Sequence, residues 1–228
     1  VDSLRCVRPH EDSWLVARAD ELVARHIVRG ELGCPVCEAR YAVREGVADF
    51  AGFAGFAGFS DSTGGSPARQ AGEDSSMRVE LSSARAALAV RAAALLGLGE
   101  AGGIVVLAGA WSAAAYEILE LVESVQLLAL DYAPGLESGG ALSLARIADV
   151  LPLAAGSVRG IALDAAHATP SLLAGAARAL APGGRLIAPA SALVPNTLTE
   201  LARDEEHWVA AASAPSNVSA PVSIGLRR

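Results

Sequence analysis

From residue 79 onward the chain alternates between two hydrophobic periods. Residues 79–98 (VELSSARAALAVRAAALLGL) set apolar side chains at helical spacing among many Ala, which predicts a helix ending near Gly97 or Gly99. Residues 104–108 (IVVLA) are apolar and β-branched and predict a strand. The pattern then predicts a helix at 112–122, a strand at 125–130, a helix at 141–150, a strand at 158–163 and a helix at 170–180. After the turn Pro182-Gly183-Gly184 a further strand is expected at 185–188. Strands alternating with helices imply a parallel sheet covered on both faces. The end departs from this: residues 207–213 and 222–227 are short β-like runs across a Pro/Ser/Asn loop, as in an antiparallel pair at a sheet edge.

The front of the chain has another character. Residues 1–49 hold all three Cys, two of the four His and seven of the Arg, and predict a small separate domain. Next comes FAGFAGFAGF, whose Phe50, Phe53, Phe56 and Phe59 are every Phe in the protein. Residues 60–76 (SDSTGGSPARQAGEDSS) have no periodicity and no large apolar side chain until the helix begins, the composition of a flexible tether. The expected organisation is therefore a domain at 1–49, a Phe repeat and linker at 50–77, and a larger domain at 78–228. A period of three puts the four rings on one side of an extended, polyproline-like chain. Such a run suits an apolar groove on a protein partner, or it docks back onto the protein's own sheet. A membrane surface is the poorer fit, because no basic residue among the rings would meet anionic lipid.

Hydrophobic residues at 52% against 19% charged are too many for a wholly disordered chain. The net charge is −7, and all eighteen positive charges are Arg. A basic face for nucleic acid is not expected. The N-terminal residues contain no apolar signal core, and no apolar run is long enough to span a membrane, so the expectation is a cytoplasmic protein. Any peripheral association with a membrane would run through a complex.

Cys6-x3-His10 and Cys34-x2-Cys37 offer three thiolates and one imidazole, the donor set of a tetrahedral structural zinc. In the Cys-Pro-x-Cys knuckle, two intervening residues let backbone amides point at both sulfurs. A domain this small has little core, and a closed metal site would supply folding energy. The alternatives are free buried cysteines, or His26 in place of His10.

The residues Leu4-x-Cys6, then 30–37 (GELGCPVC), then 41–47 (YAVREGV) resemble the Trm112-like zinc-ribbon family, whose pattern is L-x-C-P, G-x-L-x-C-P-x-C and Y-P-I-x-D-G-I. The likeness covers about the first fifty residues. Val7-Arg8-Pro9-His10 replaces the usual first knuckle, and Ala42 stands where the family has Pro. The resemblance implies a small zinc-binding platform that partners or precedes methyltransferases.

The rest resembles the class I, S-adenosylmethionine-dependent methyltransferases. The likeness rests on 125–131 (VQLLALD), on 151–160 (LPLAAGSVRG), and most specifically on LLAGAARALAPGGRLIA, which runs to Ala188. By that resemblance Asp131 is the acidic residue that binds the cofactor's ribose. The fold it implies is α/β and Rossmann-like, a mostly parallel sheet with an antiparallel edge, preceded here by a zinc-ribbon-like domain. An adenosyl cofactor needs a glycine-rich turn after the first strand, where a side chain would collide with the ligand. The family writes an acidic residue followed by G-x-G-x-G, and this chain writes 107–113 as LAGAWSA. Only Gly109 survives, and Trp111 is expected to fill the vacated space.

Other chemistry is sparse. Asp164 and His167, three apart after the fourth predicted strand, could do acid–base work or cap a helix. The cluster 204–207 (DEEH) has the composition of a solvated loop. The leading expectation is a non-catalytic, methyltransferase-like protein, with no catalytic residue assigned, serving as a structural or accessory subunit among other protein subunits. It would hold structural zinc on Cys6, His10, Cys34 and Cys37 and would not bind S-adenosylmethionine. The alternatives are an active methyltransferase with a divergent turn, using Asp131 and Gly109 for the cofactor, and a zinc-ribbon activator of a separate methyltransferase.

Overall fold

The computed structural model describes residues 2–52, 75–99 and 102–213. Phe53, Phe56, Phe59, most of the expected linker and the β-like run at 222–227 lie outside the described residues.

Four antiparallel strands come first: β1 (Val16–Val23), β2 (His26–Gly33), β3 (Arg40–Arg44) and β4 (Val47–Asp49). The two tight hairpins turn through pairs with positive φ, Ala24-Arg25 at 46° and 71° and Glu45-Gly46 at 51° and 76°. Positive φ at both central residues matches the right-handed twist of the flanking strands. After α1 (Ser75–Leu96) follow β5 (Gly103–Ala108), a 3-10 segment at Gly109–Ala114, α2 (Ala115–Leu121), β6 (Val125–Leu130), β7 (Leu142–Arg146) and β8 (Val158–Ala162). The chain then forms α3 (Pro170–Ala179), β9 (Leu180–Pro189), β10 (Leu198–Arg203) and β11 (His207–Ala212). Thr169 caps α3 with its hydroxyl accepting from the Leu172 amide at 3.3 Å, and Pro170 opens the first turn, where its missing N–H leaves no bond unmade.

The eleven strands of the described residues form one sheet in the order β1-β2-β3-β4-β7-β6-β5-β8-β9-β11-β10. From β7 onward the first strand of the second half lies in the middle, the chain winds outward both ways, and antiparallel β11 sits between β9 and β10. That topology is the Rossmann-like class I methyltransferase fold, an α/β sheet that is mostly parallel with an antiparallel edge. The small Cys/His-bearing unit precedes it. The join is a parallel ladder, β4 against β7, with Val47 opposite Leu144, Ala48 opposite Ala145 and Asp49 opposite Arg146.

The central strands are buried on both faces. Val106, Ala108, Leu128 and Leu130 belong to one apolar cluster, and Val105, Leu107, Leu127 and Ala129 to the other, the period of two that a covered sheet imposes. Helices α1 and α2 cover the second cluster, through Ala89, Ala92, Leu96 and Ile118. The first is covered by α3 and by the N-terminal unit, whose Leu15, Leu32, Tyr41 and Phe50 pack with Ile147, Leu151 and Leu153. The crossovers on either side of β7 contain no helix. In their place the N-terminal segment lies down on the sheet: Leu4 bridges Leu153, the Arg5 amide donates to Pro152 O at 2.9 Å, and the Ala154 amide to Ser3 O at 2.8 Å.

Three expectations are corrected. The helix expected at 141–150 is strand β7: Leu142, Leu144 and Ala145 are buried while Ser143 and Arg146 are exposed, and the strand's backbone is paired by β6 on one side and β4 on the other. The strand expected at 207–213 as half of an edge pair with 222–227 is β11, flanked on both sides by β9 and β10, and the exposed residues 204–206 form the β10–β11 turn, in which Asp204 accepts from the Glu206 and His207 amides. Phe50 is not presented to a partner. It is 2% exposed, packs at 4.7 Å on the Tyr41 ring and donates its amide to Arg146 O at 2.9 Å.

Candidate metal centre and strand-end site

The hairpin β2–β3 carries the knuckle. The Cys34 amide donates to Ala39 O at 2.8 Å and the Glu38 amide to Cys34 O at 3.0 Å, which turns the chain so that Cys34 and Cys37 face one point. Cys6 and His10 arrive on the N-terminal segment, held by the Cys6 amide donating to Ser13 O at 3.3 Å. The ligand atoms of Cys6, His10, Cys34 and Cys37 all lie within 4.8 Å of one another. Cys6 Sγ is 3.6 Å from Cys37 Sγ, and Cys34 Sγ is 3.4 Å from His10 Nε2. The imidazole is oriented for coordination. Its Nδ1 lies 2.6 Å from Glu11 O, and since a carbonyl only accepts, Nδ1 carries the proton and Nε2 offers its lone pair to the sulfurs' common centre. Burial opposes ionisation of Cys34, yet the amides of Cys37 and Val36 outweigh it and bring the thiol down to about 6. Burial pushes the Cys6 thiol up. Three thiols, one imidazole of fixed tautomer and amides aimed at sulfur fit a tetrahedral zinc. His26 is elsewhere, with Nε2 donating to Gly140 O at 2.9 Å.

The second site crosses the carboxyl ends of β6, β5 and β8, where the strand order reverses and open α/β sheets bind ligands. Gly109 follows β5 with φ 57°, and a Cβ there would run into the Asp164 carboxylate. The Ala110 amide donates to Asp164 Oδ2 at 2.9 Å, while Asp164 Oδ1 accepts from the Ala166 and His167 amides at 3.1 and 3.2 Å. His167 then bridges two strands: Nδ1 is 2.6 Å from Asp164 Oδ1 and Nε2 is 3.1 Å from Asp131 Oδ2. Ionised carboxylates only accept, so both ring nitrogens donate and the ring is an imidazolium. The Asp131 hydrogen bond, against the cost of burial and with help from Asp164, raises the pKa of His167 to about 8. Burial would raise the Asp164 pKa, but the Ala110 amide and His167 hold it below the usual carboxylate value. Asp131 itself has φ 43° and accepts from the Ile147 amide at 3.3 Å.

Trp111, expected in the cofactor's space, packs elsewhere. It is 3% exposed in the layer beneath α1 and meets the His207 ring edge-on at 5.1 Å. The group that crosses the strand ends is His167. The Asp164–His167 pair was legible as a local motif, but its link to Asp131, 36 residues away, was not. An acid placed at the ends of two strands that flank β5 was the available signal. A cavity of about 740 Å³ lies at the opposite end of the strands, bounded by Gly103, Arg159 and Arg185.

No family model matches the chain, and no curated protein matches it. Among solved structures it is similar to an S-adenosyl-L-methionine methyl transferase from Silicibacter pomeroyi, at 15% identity over 61% of this chain and 99% of that one, TM-score 0.41. It is also similar to a complex of the Haloferax volcanii Trm112 methyltransferase activator with a methyltransferase, at 22% identity over 51% of this chain and 61% of that one, TM-score 0.34. A third is the N-methyltransferase NodS of Bradyrhizobium japonicum, at 15% identity over 57% and 94% of the two chains, TM-score 0.39. The likeness is one of fold, and the strand order carries the fold assignment. Among the described residues no helix is long and apolar enough to cross a membrane.

Proposed function

We propose that this methyltransferase-like protein has no methyl-transfer chemistry and acts as a structural or accessory subunit of a larger protein assembly in the cytoplasm. The observation that supports the reading is the closed chain from the Ala110 amide through Asp164 and His167 to Asp131. Those groups sit where the resemblance would place the turn and the ribose-binding carboxylate, and each is already engaged within the protein. An entering adenosyl cofactor would have to break a hydrogen-bonded ion triplet and leave its members to be solvated again. Gly109 alone cannot reproduce a turn that needs three glycines.

In this reading residues 1–49 are a Trm112-like zinc-ribbon platform, 50–77 a linker with the remaining Phe rings as a partner handle, and 78–228 a degenerate methyltransferase-like domain. Cys6, His10, Cys34 and Cys37 hold a structural zinc, which supplies folding energy to a unit with little core of its own. An activator of a separate methyltransferase is less well supported, because residues 1–49 are already joined, through the β4–β7 ladder, to the methyltransferase-like domain of their own chain. One observation favours the active-enzyme alternative: Trp111 packs beneath α1 and leaves the strand ends to smaller groups. In that case Asp131 and Gly109 would contact the cofactor once His167 moved aside.

Isothermal titration with S-adenosylmethionine and its demethylated product, with metal content measured on the same sample, separates the two. No heat of binding is expected, with one zinc per chain. Micromolar binding of either compound would overturn the non-catalytic reading.

A further inference from the structure

We infer that Tyr41 is a positioning residue of the Cys/His centre, its phenolic O–H donating a hydrogen bond to the Cys6 thiolate and so fixing a ligand that lies outside the β2–β3 hairpin. The inference rests on the zinc reading of the cluster.

Two of the donors, Cys34 and Cys37, belong to a hairpin whose strands pair residue by residue from Gly30–Val43 to Gly33–Arg40. Cys6 has no such frame. It lies on an irregular segment held by isolated contacts and no continuous ladder: the bridges Leu4 to Leu153 and Arg5 to Trp14, the Arg5 amide on Pro152 O, and the long hydrogen bond of its own amide to Ser13 O at 3.3 Å. The Tyr41 hydroxyl closes the gap. It is 3.0 Å from Cys6 Sγ and 3.2 Å from the Val7 amide nitrogen, so it grips two consecutive residues.

Donor accounting sets the direction of each bond. The Val7 N–H can only donate, so the hydroxyl oxygen accepts there. A metal-bound thiolate can only accept, so the single phenolic proton points at Cys6. Three thiolates and a neutral imidazole around Zn²⁺ leave a net charge of −1 in a half-buried site, and a hydrogen bond to sulfur spreads that charge. The ring is in turn held in place. Tyr41 is 1% exposed, sits opposite Leu32 in the ladder and packs on Phe50, which is bonded to β7. The metal centre is thus linked through two aromatic rings to the strand pairing that joins the two parts of the sheet.

Tyr41→Phe tests this, because it keeps the ring and its packing and deletes only the hydroxyl. The full chain and the variant are titrated with Co²⁺ and then Zn²⁺ under chelator competition, and the cobalt–thiolate charge-transfer band is recorded. The expected result is one ion per chain in both proteins, with affinity in Y41F lowered by about 10- to 100-fold. The band should also move to lower energy, since a thiolate that loses its hydrogen bond donates more strongly to the metal. A loss of packing alone would not shift the band in that direction. Equal affinity and an unmoved band in Y41F overturn the role of Tyr41 while leaving the zinc site standing. A wild-type chain that takes up no ion overturns both, and circular dichroism of Y41F matching wild type shows that the comparison is between folded proteins.

Discussion

Replacing His167 with Ala should remove a contribution to stability that exists only at acidic to neutral pH. The imidazolium joins Asp131 and Asp164 at 3.1 and 2.6 Å, and its pKa is raised from 6.5 to about 8. That displacement is worth about 2 kcal/mol at 1.36 kcal/mol per pH unit. The His167 side chain is only 12% exposed but Asp131 is 32% exposed, so water screens the open side and about 1 kcal/mol is the working figure. Because the folded pKa is raised, the contribution is complete below 6.5, the unfolded value, and fades as pH rises through about 8. Urea unfolding of wild type and H167A from pH 5.5 to 9 measures it. The difference between the two proteins should be largest below pH 6.5 and shrink by about 1 kcal/mol by pH 9. The difference is the quantity to use, since Cys34, with its thiol brought down to about 6, makes metal-free wild type gain stability over the same interval. The charged groups that meet His167 are the two carboxylates, one from each flanking strand end. A difference constant from pH 6 to 9 would refute the imidazolium bridge, and with it the main support for a closed cofactor site.

Two further substitutions probe the core. Phe50→Ala should cost about 3–5 kcal/mol in chemical denaturation, the usual range for an aromatic truncated in a core. An effect below about 1 kcal/mol would mean that the ring is not seated between Tyr41 and β7. Trp111→Gly should destabilise by a similar amount. It should not restore titratable S-adenosylmethionine binding, because His167 and Leu107 still depart from what the cofactor needs; micromolar affinity in that variant would refute this.

Much of the second half was legible along the chain because its strands lie between covered faces and must be continuously apolar. The runs around Val105, Leu127 and Ile161 satisfy that requirement wherever their partners are. The four donors Cys6, His10, Cys34 and Cys37 were legible as a set from residue type and spacing, and the structure brings them within 4.8 Å. The tautomer of His10 depends on Glu11 O, a contact that spacing does not reveal.

What the sequence determined by itself was therefore the local part: the alternation of hydrophobic periods and the donor inventory. These follow from torsional preferences and from side chains a few residues apart. The strand at Leu142–Arg146 was decided by tertiary structure, since a five-residue Leu/Ala stretch suits either period until β4 and β6 claim its backbone. So was the fate of Phe50, whose repeat pattern is indifferent to whether a ring faces a partner or the protein's own core. The bridge from Asp164 through His167 to Asp131 also belongs to the fold alone. A hydrogen bond depends on distance in space, and only the winding of the sheet about β5 brings those residues to one place.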